Sequence, residues 1–176
     1  MFRAGRPMKV TRQLESLESI VLDPLVDVSA SEWSMTREGK WSIAQIVEHL
    51  AIAFDIVATG FAVLPDSEPK EREASPAQAV LRHTLLGSGE LPRGMRAPDI
   101  SHPSEAPDPE LVVARFRMGI EQTRALIDDW AEEQQVSTFL RHPVLGDLNL
   151  PEWVRFHYVH CTLHARQIEK RLADLQ

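Results

Sequence analysis

The sequence predicts an all-α domain built as a four-helix bundle, with a long proline-rich excursion between the second and third helices. Three observations carry this. Four stretches repeat apolar residues at the three-and-four spacing of a helix face. No two stretches make a convincing strand pair. Eight of the twelve prolines fall between residues 65 and 109, where regular structure is largely forbidden. A chain of 176 residues holds one core of ordinary size, so residues 1–176 are read as a single domain.

The first helix is expected in "MKVTRQLESLESIVLDP", where Val10, Leu14, Leu17 and Val21 share a face and Asp23-Pro24 supplies a stop. A polar connection carrying Gly39 follows. In "WSIAQIVEHLAIAFDIVATGFAVLP", Ser42 and Gln45 form a capping box, with Trp41 and Ile46 placed as a hydrophobic staple. The stripe Ile43, Ile46, Val47, Leu50, Phe54, Val57 and Phe61 continues until Pro65 closes the second helix. Within the excursion a short helix from Pro76 to Leu86 is expected, with Pro76 in its first turn. Asp108-Pro109 opens the third long helix, whose inward face is read as Val113, Phe116, Ile120, Ile127 and Trp130. His142-Pro143 and Gly146-Asp147 mark a short, hairpin-like connection. The last helix starts near Pro151. The long excursion permits a crossover, so an up-down-down-up order ranks at least level with a plain meander.

The net charge is −7, and no lysine or arginine cluster forms a footprint for phosphate backbones, so nucleic acid is not expected as a partner. No apolar run is read as long enough to span a bilayer. The basic start "MFRAGRPMKVTRQ" lacks the apolar core of a secretory signal, which makes the cytoplasm the expected compartment. Cys161 is the only cysteine, so a thiolate zinc cage is excluded and any metal needs histidine or carboxylate ligands.

Three of the chain's seven histidines fall in "HYVHCTLHARQIEKRL". His157, His160 and His164 share a narrow arc with Trp153, while Arg155, Arg166, Glu169 and Lys170 carry the polar side. The histidines therefore face the core. Side by side in an apolar setting they need a common partner for their ring nitrogens, and a divalent cation is one. His49 borders the apolar stripe of the second helix. A histidine from one helix and an i,i+4 pair from another can cap one face of a metal and leave positions open for water or substrate. The expected ligands are His49, His160 and His164, with His157 as a neighbour behind them or a wall of the pocket. Zinc or nickel ranks ahead of iron or manganese, although imidazole suits all of them. Gln167, on the face of His160, could support a ligand or cap a core polar group. His142 and Asp147 could reach the mouth of the site but are read first as turn residues, His83 and His102 as solvated, Cys161 as a small core residue, and Trp41 and Trp153 as core anchors rather than substrate platforms. The spacing matches neither a zincin, which needs His-Glu-x-x-His, nor a di-iron bundle, which needs paired Glu-x-x-His segments.

"KWSIAQIVEHL" at 40 to 50, with "HPVLGDLNLPEWVRFHYVHCTLHARQIEKRL" at 142 to 172, resembles the DinB-like (YfiT-like) metalloenzyme family, in the branch that reads His-Pro-x-x-Gly, then Trp, then His-x-x-x-His-x-x-Gln. The resemblance spans both ends of the chain but not its proline-rich middle. It implies a four-helix bundle with a three-histidine site mapping onto His49, His160 and His164, and it favours Gln167 as support for that site. It also implies a low-molecular-weight thiol cofactor, thiol-dependent transferase or isomerase chemistry and a homodimer, while the open three-histidine site by itself points to a metal that activates a thiol or water for transfer to a small-molecule substrate or for hydrolysis. A non-catalytic, metal-stabilised binding or stress-response module is the alternative expectation.

Overall fold

The computed structural model describes residues 6–37, 39–64, 71–89 and 96–174. The expected first helix is two segments, α1 (Arg6–Glu15) and α2 (Leu17–Leu22). They are offset at Ser16, whose hydroxyl donates to the Gln13 carbonyl at 2.8 Å. Leu14, Leu17 and Val21 are fully buried, as their spacing requires. A 3₁₀ turn at Asp23–Leu25, with Pro24 inside it, ends the run. The polar connection then holds an element the periodicity did not announce: α3 (Ala30–Ser34), started by a Ser29–Glu32 capping box and anchored by buried Trp33.

α4 (Ile43–Ala62) begins at the predicted box, with Ser42 and Gln45 exchanging side-chain-to-backbone bonds. It ends at Ala62; Pro65, the expected stop, lies outside the described residues. By length and composition α4 is apolar enough to cross a bilayer, which corrects the expectation that no run is. Half of that window is buried against the rest of the protein, as befits the central helix of a core.

The excursion is not merely a loop over the surface. α5 (Pro76–Ser88) carries its own capping box from Ser75 and Gln78 and closes on Gly89 in the left-handed region (φ 75°), running two residues past the expected Leu86. Leu85 is fully buried, and Arg155 donates to the Leu86 carbonyl at 2.9 Å, fastening α5 to the last helix. A second 3₁₀ turn, Asp99–Ser101, precedes α6 (Pro109–Asp129), where Asp108 caps the backbone N–H groups of Glu110 and Leu111 as predicted.

The inward face of α6 differs from the expected one. Val112, Phe116, Gly119, Ile120 and Thr123 are buried, whereas Val113, Ile127 and Trp130 are only partly so. The reason is close approach to α4. A Cβ on Gly119 would lie 2.5 Å from the Phe54 Cβ, so only glycine fits there, and Thr123 is admitted because its hydroxyl donates back to the Gly119 carbonyl at 2.8 Å. Arg115 meets Asp55 at 2.6 Å, Phe54 meets Phe116 edge-on and Phe61 meets Trp130 edge-on. From Phe54–Phe116 to Phe61–Trp130 the ring pairings advance together along both helices.

After α7 (Glu132–Ser137) the expected hairpin is a true antiparallel pair, β1 (Phe139–His142) and β2 (Gly146–Asn149), in register from Phe139↔Asn149 to His142↔Gly146. Gly146 has φ 75°, and a Cβ there would meet Ala74 at 2.8 Å. The close fit lets Glu73 and Asp147 exchange hydrogen bonds of 2.9 and 3.0 Å, pinning the excursion to the hairpin. α8 (Leu150–Ala173) follows directly, with Asn149 and Glu152 as its capping box and Arg72 paired to both Glu152 oxygens. Core residues form two clusters. One joins α1, α2, α4, α6 and the far side of α8; the other joins the end of α4, α5, the hairpin and the start of α8. The candidate site lies where α4 and α8 cross, on the side covered by the Asp99–Ser101 turn.

Candidate metal centre

His49 is delivered by the second turn of α4, and His160 and His164 by successive turns of α8. The structure brings their Nε2 atoms together: 3.0 Å from His49 to His160 and 3.1 Å from His164 to His160, with one nitrogen from each residue within 4.8 Å of the others. Two nitrogens each about 2.1 Å from one ion are about 3.0 to 3.4 Å apart at ligand angles of about 90 to 110°. The two short separations match that expectation.

The outer nitrogens explain why the inner ones cannot satisfy each other. Ser101 offers its backbone carbonyl 2.7 Å from His49 Nδ1, and a carbonyl only accepts, so the His49 proton sits on Nδ1 and its Nε2 presents a lone pair. Gln167 Oε1 lies 3.0 Å from His164 Nδ1 and fixes the same tautomer there. His160 thus faces two lone pairs and can offer at most one N–H. Its Nδ1 is buried with no partner among the described residues. Adding protons does not relieve the conflict: burial first, then the neighbouring histidines, drive His160 well below the usual histidine range. His164 is held at about 4 by burial and by His49, and His49 is lowered chiefly by burial. All three are therefore neutral near pH 7, the form that ligates metal.

His157 stands apart from this cluster. It is fully buried and stacks face to face on Phe54, with centroids 3.8 Å apart and planes at 11°. Neither ring nitrogen has a partner among the described residues, and burial lowers it to about 3. It neither bonds to a cluster histidine nor lines the cavity in front of them. Gln167 does touch the cluster, through His164, although its own side is exposed. Cys161 is fully buried with its thiol pushed far up by burial, an inert core group.

A cavity of about 690 Å³ opens in front of His49, His160 and His164. Trp41, Trp153, Phe156 and Leu163 give it apolar walls, so both tryptophans combine anchoring with lining. His142 lines it too. Its turn role holds, since Nδ1 accepts from the backbone N–H groups of Val144 and Leu145, both at 3.1 Å. That leaves its proton on Nε2, and burial holds the ring at about 4, so it is a fixed neutral donor. Asp147 serves the hairpin and Glu73. His83 and His102 are exposed, the latter edge-on to Trp41. Sequence reasoning missed Ser101, whose role is a backbone carbonyl from the far end of the excursion, and the basic residues Lys40, Arg96 and Arg141 that reach the cavity. No local spacing signals either.

Fold and site together define a helical protein with a largely buried three-histidine cluster, His49 enclosed and His160 and His164 half-buried, able to accept a divalent cation. The chain belongs to the DinB superfamily, whose family model matches residues 13–168. Comparisons with curated proteins and with solved structures find no match.

Proposed function

We propose that this protein is a metalloenzyme that holds a divalent cation on His49, His160 and His164 and acts on a small molecule in the adjoining cavity, as a transferase or hydrolase that activates a thiol or water. The observation that carries the reading is the convergence of three Nε2 atoms about 3 Å apart in a largely buried cluster of neutral rings. A single N–H on His160 can satisfy only one of the two facing lone pairs, whereas a cation among the nitrogens satisfies all three. When bound, a divalent ion supplies a Lewis acid that acidifies a ligated water or thiol, since three neutral imidazoles leave its charge uncancelled.

The chain's own groups do the rest. The Ser101 carbonyl and Gln167 orient His49 and His164. The tryptophans and Phe156 give the cavity apolar walls beside the histidines. His142 can donate a hydrogen bond from Nε2 to a substrate oxygen without changing its own charge. Zinc and nickel are among the ions that suit an all-imidazole donor set. A non-catalytic module, in which the ion only ties α4 to α8, is the competing reading. The cavity favours the catalytic one, because a purely structural site is closed.

Elemental analysis of untagged full-length protein tests the first half: one bound transition ion per chain is expected, and a metal-free product that gains no ion on dialysis refutes it. A screen of thiol-transfer and hydrolysis probes, with and without chelation, tests the second. Turnover that stops on chelation supports the enzyme; a fall in melting temperature with no turnover favours the module.

A further inference from the structure

The charged residues around the cavity are one-sided. The chain as a whole is acidic, with 26 aspartates and glutamates against 19 lysines and arginines. Yet the charged side chains that line the cavity among the described residues are Lys40, Arg96, Arg141, Lys170 and Arg171, with no carboxylate among them. Two of these are already engaged. Arg141 reaches Asp147 at 3.4 Å and Glu73 at 3.7 Å, and Arg171 reaches the Trp41 carbonyl at 3.3 Å and Asp174 at 4.0 Å. Lys40, Arg96 and Lys170 have no ion pair or side-chain hydrogen bond among the described residues, so no described carboxylate offsets their charges at the mouth.

These three come from separate parts of the chain: the approach to α4, the far end of the excursion and the last turn of α8. The charge at the end of α8 is partly ordinary, because cations favour a helix C-terminus. Lys40 and Arg96 have no such reason to be there. Behind them the walls are apolar and the floor is a neutral histidine cluster. A low-dielectric cleft edged by one sign of charge focuses its field on the opposite sign.

We propose that the cavity takes an organic anion: a small molecule whose carboxylate or phosphate head is held at the mouth by Lys40, Arg96 and Lys170, with an apolar body lying along Trp41, Phe156 and Leu163 toward the histidines. This rests on the reading of the cavity as the substrate site, and it names the class of substrate. Arg96 suits a planar, bidentate grip on such a head, and the two lysines act as point charges.

The test is calorimetric titration of zinc-loaded full-length protein with three probes of one shape: phenylbutyrate, phenylbutyl phosphate and neutral phenylbutyramide. At low salt the anions should bind roughly tenfold or more tighter than the amide, and the preference should shrink as salt is added. The Lys40→Gln/Arg96→Gln/Lys170→Gln variant, altered only at exposed positions, should keep its zinc and its melting temperature while the preference falls to about twofold or less. Whichever anion binds tighter identifies the head group. Equal binding of amide and anions overturns the proposal. So does an undiminished preference in the triple variant, which would place the head group on the metal instead. Zinc content is read separately. If the protein retains no zinc, the metal reading fails, while the same titration still decides the anion preference.

Discussion

His157 and His160 lie one turn apart on α8, and the structure uses them in opposite ways. His160 points its Nε2 between His49 and His164. His157 is sealed face to face against Phe54, with both nitrogens unpaired among the described residues. Nothing in the spacing of α8 separates them, because both lie on its inward arc. The difference comes from α4. Where α4 presents His49 the facing histidine joins a cluster, and where it presents Phe54, five residues on, the facing histidine becomes part of a dry core. A helix nominates candidate ligands by its periodicity, and the helix packed against it chooses among them.

Substitution breaks the comparison most sharply. His160→Ala removes the nitrogen common to both short contacts, and metal content should fall from about one ion per chain to background. His157→Leu should leave metal content unchanged and raise stability by about 1 kcal/mol, because it replaces two unsatisfied buried nitrogens with an apolar group. Elemental analysis and urea unfolding of both variants read this directly. If His157→Leu also empties the site, the division between the two histidines is wrong.

The same division explains what was legible in the sequence. Features written within a few neighbouring residues were readable. The Ser42–Gln45 box, the Asp108-Pro109 start, the turn after His142 and the histidine arc of α8 each depend on local geometry. What escaped depends on approach between distant segments. The face of α6 was misplaced because apolar counting overlooks Gly119 and Thr123, which are turned inward to let Phe54 come close. α3 escaped because five residues are too few for a periodicity, although its capping box was in plain view. Apart from its expected short helix the excursion read as irregular from its prolines, yet it supplies the Ser101 carbonyl that orients His49. His49 itself was nominated from a helix border, and its partners come from residues 52 and 111 positions away.

Proton uptake sharpens the contrast next. An unfolded histidine titrates near 6.5, whereas His157 is lowered by burial to about 3 and His142 to about 4. Above pH 6.5 both states are neutral and the stabilising contribution is complete. As the pH falls toward 4, the unfolded chain takes up protons that the folded chain refuses. Stability of the metal-free protein should then drop by about 1.4 kcal/mol per pH unit for each such histidine. His157→Leu should reduce that slope by about one histidine's worth. Urea midpoints measured at intervals from pH 7 to 4 check this, and an unaltered slope would mean that His157 is not buried as a neutral ring.

Gln167 gives the smallest expected effect, because it acts on the cluster only through His164. Its Oε1 accepts the His164 Nδ1 proton and so keeps the Nε2 lone pair aimed at the other histidines. Losing an outer partner of this kind typically costs 10- to 100-fold in metal affinity. Gln167 is exposed, so water can replace part of the bond, and the loss in Gln167→Ala should be about tenfold, or about 1.4 kcal/mol. Gln167→Glu keeps the acceptor and adds charge, so it should bind metal at least as tightly as the parent. Competition against a chromogenic chelator separates the two variants. If both weaken binding alike, the side chain is needed for its amide donor rather than for holding the His164 tautomer, and orientation of that ligand must come from α8 itself.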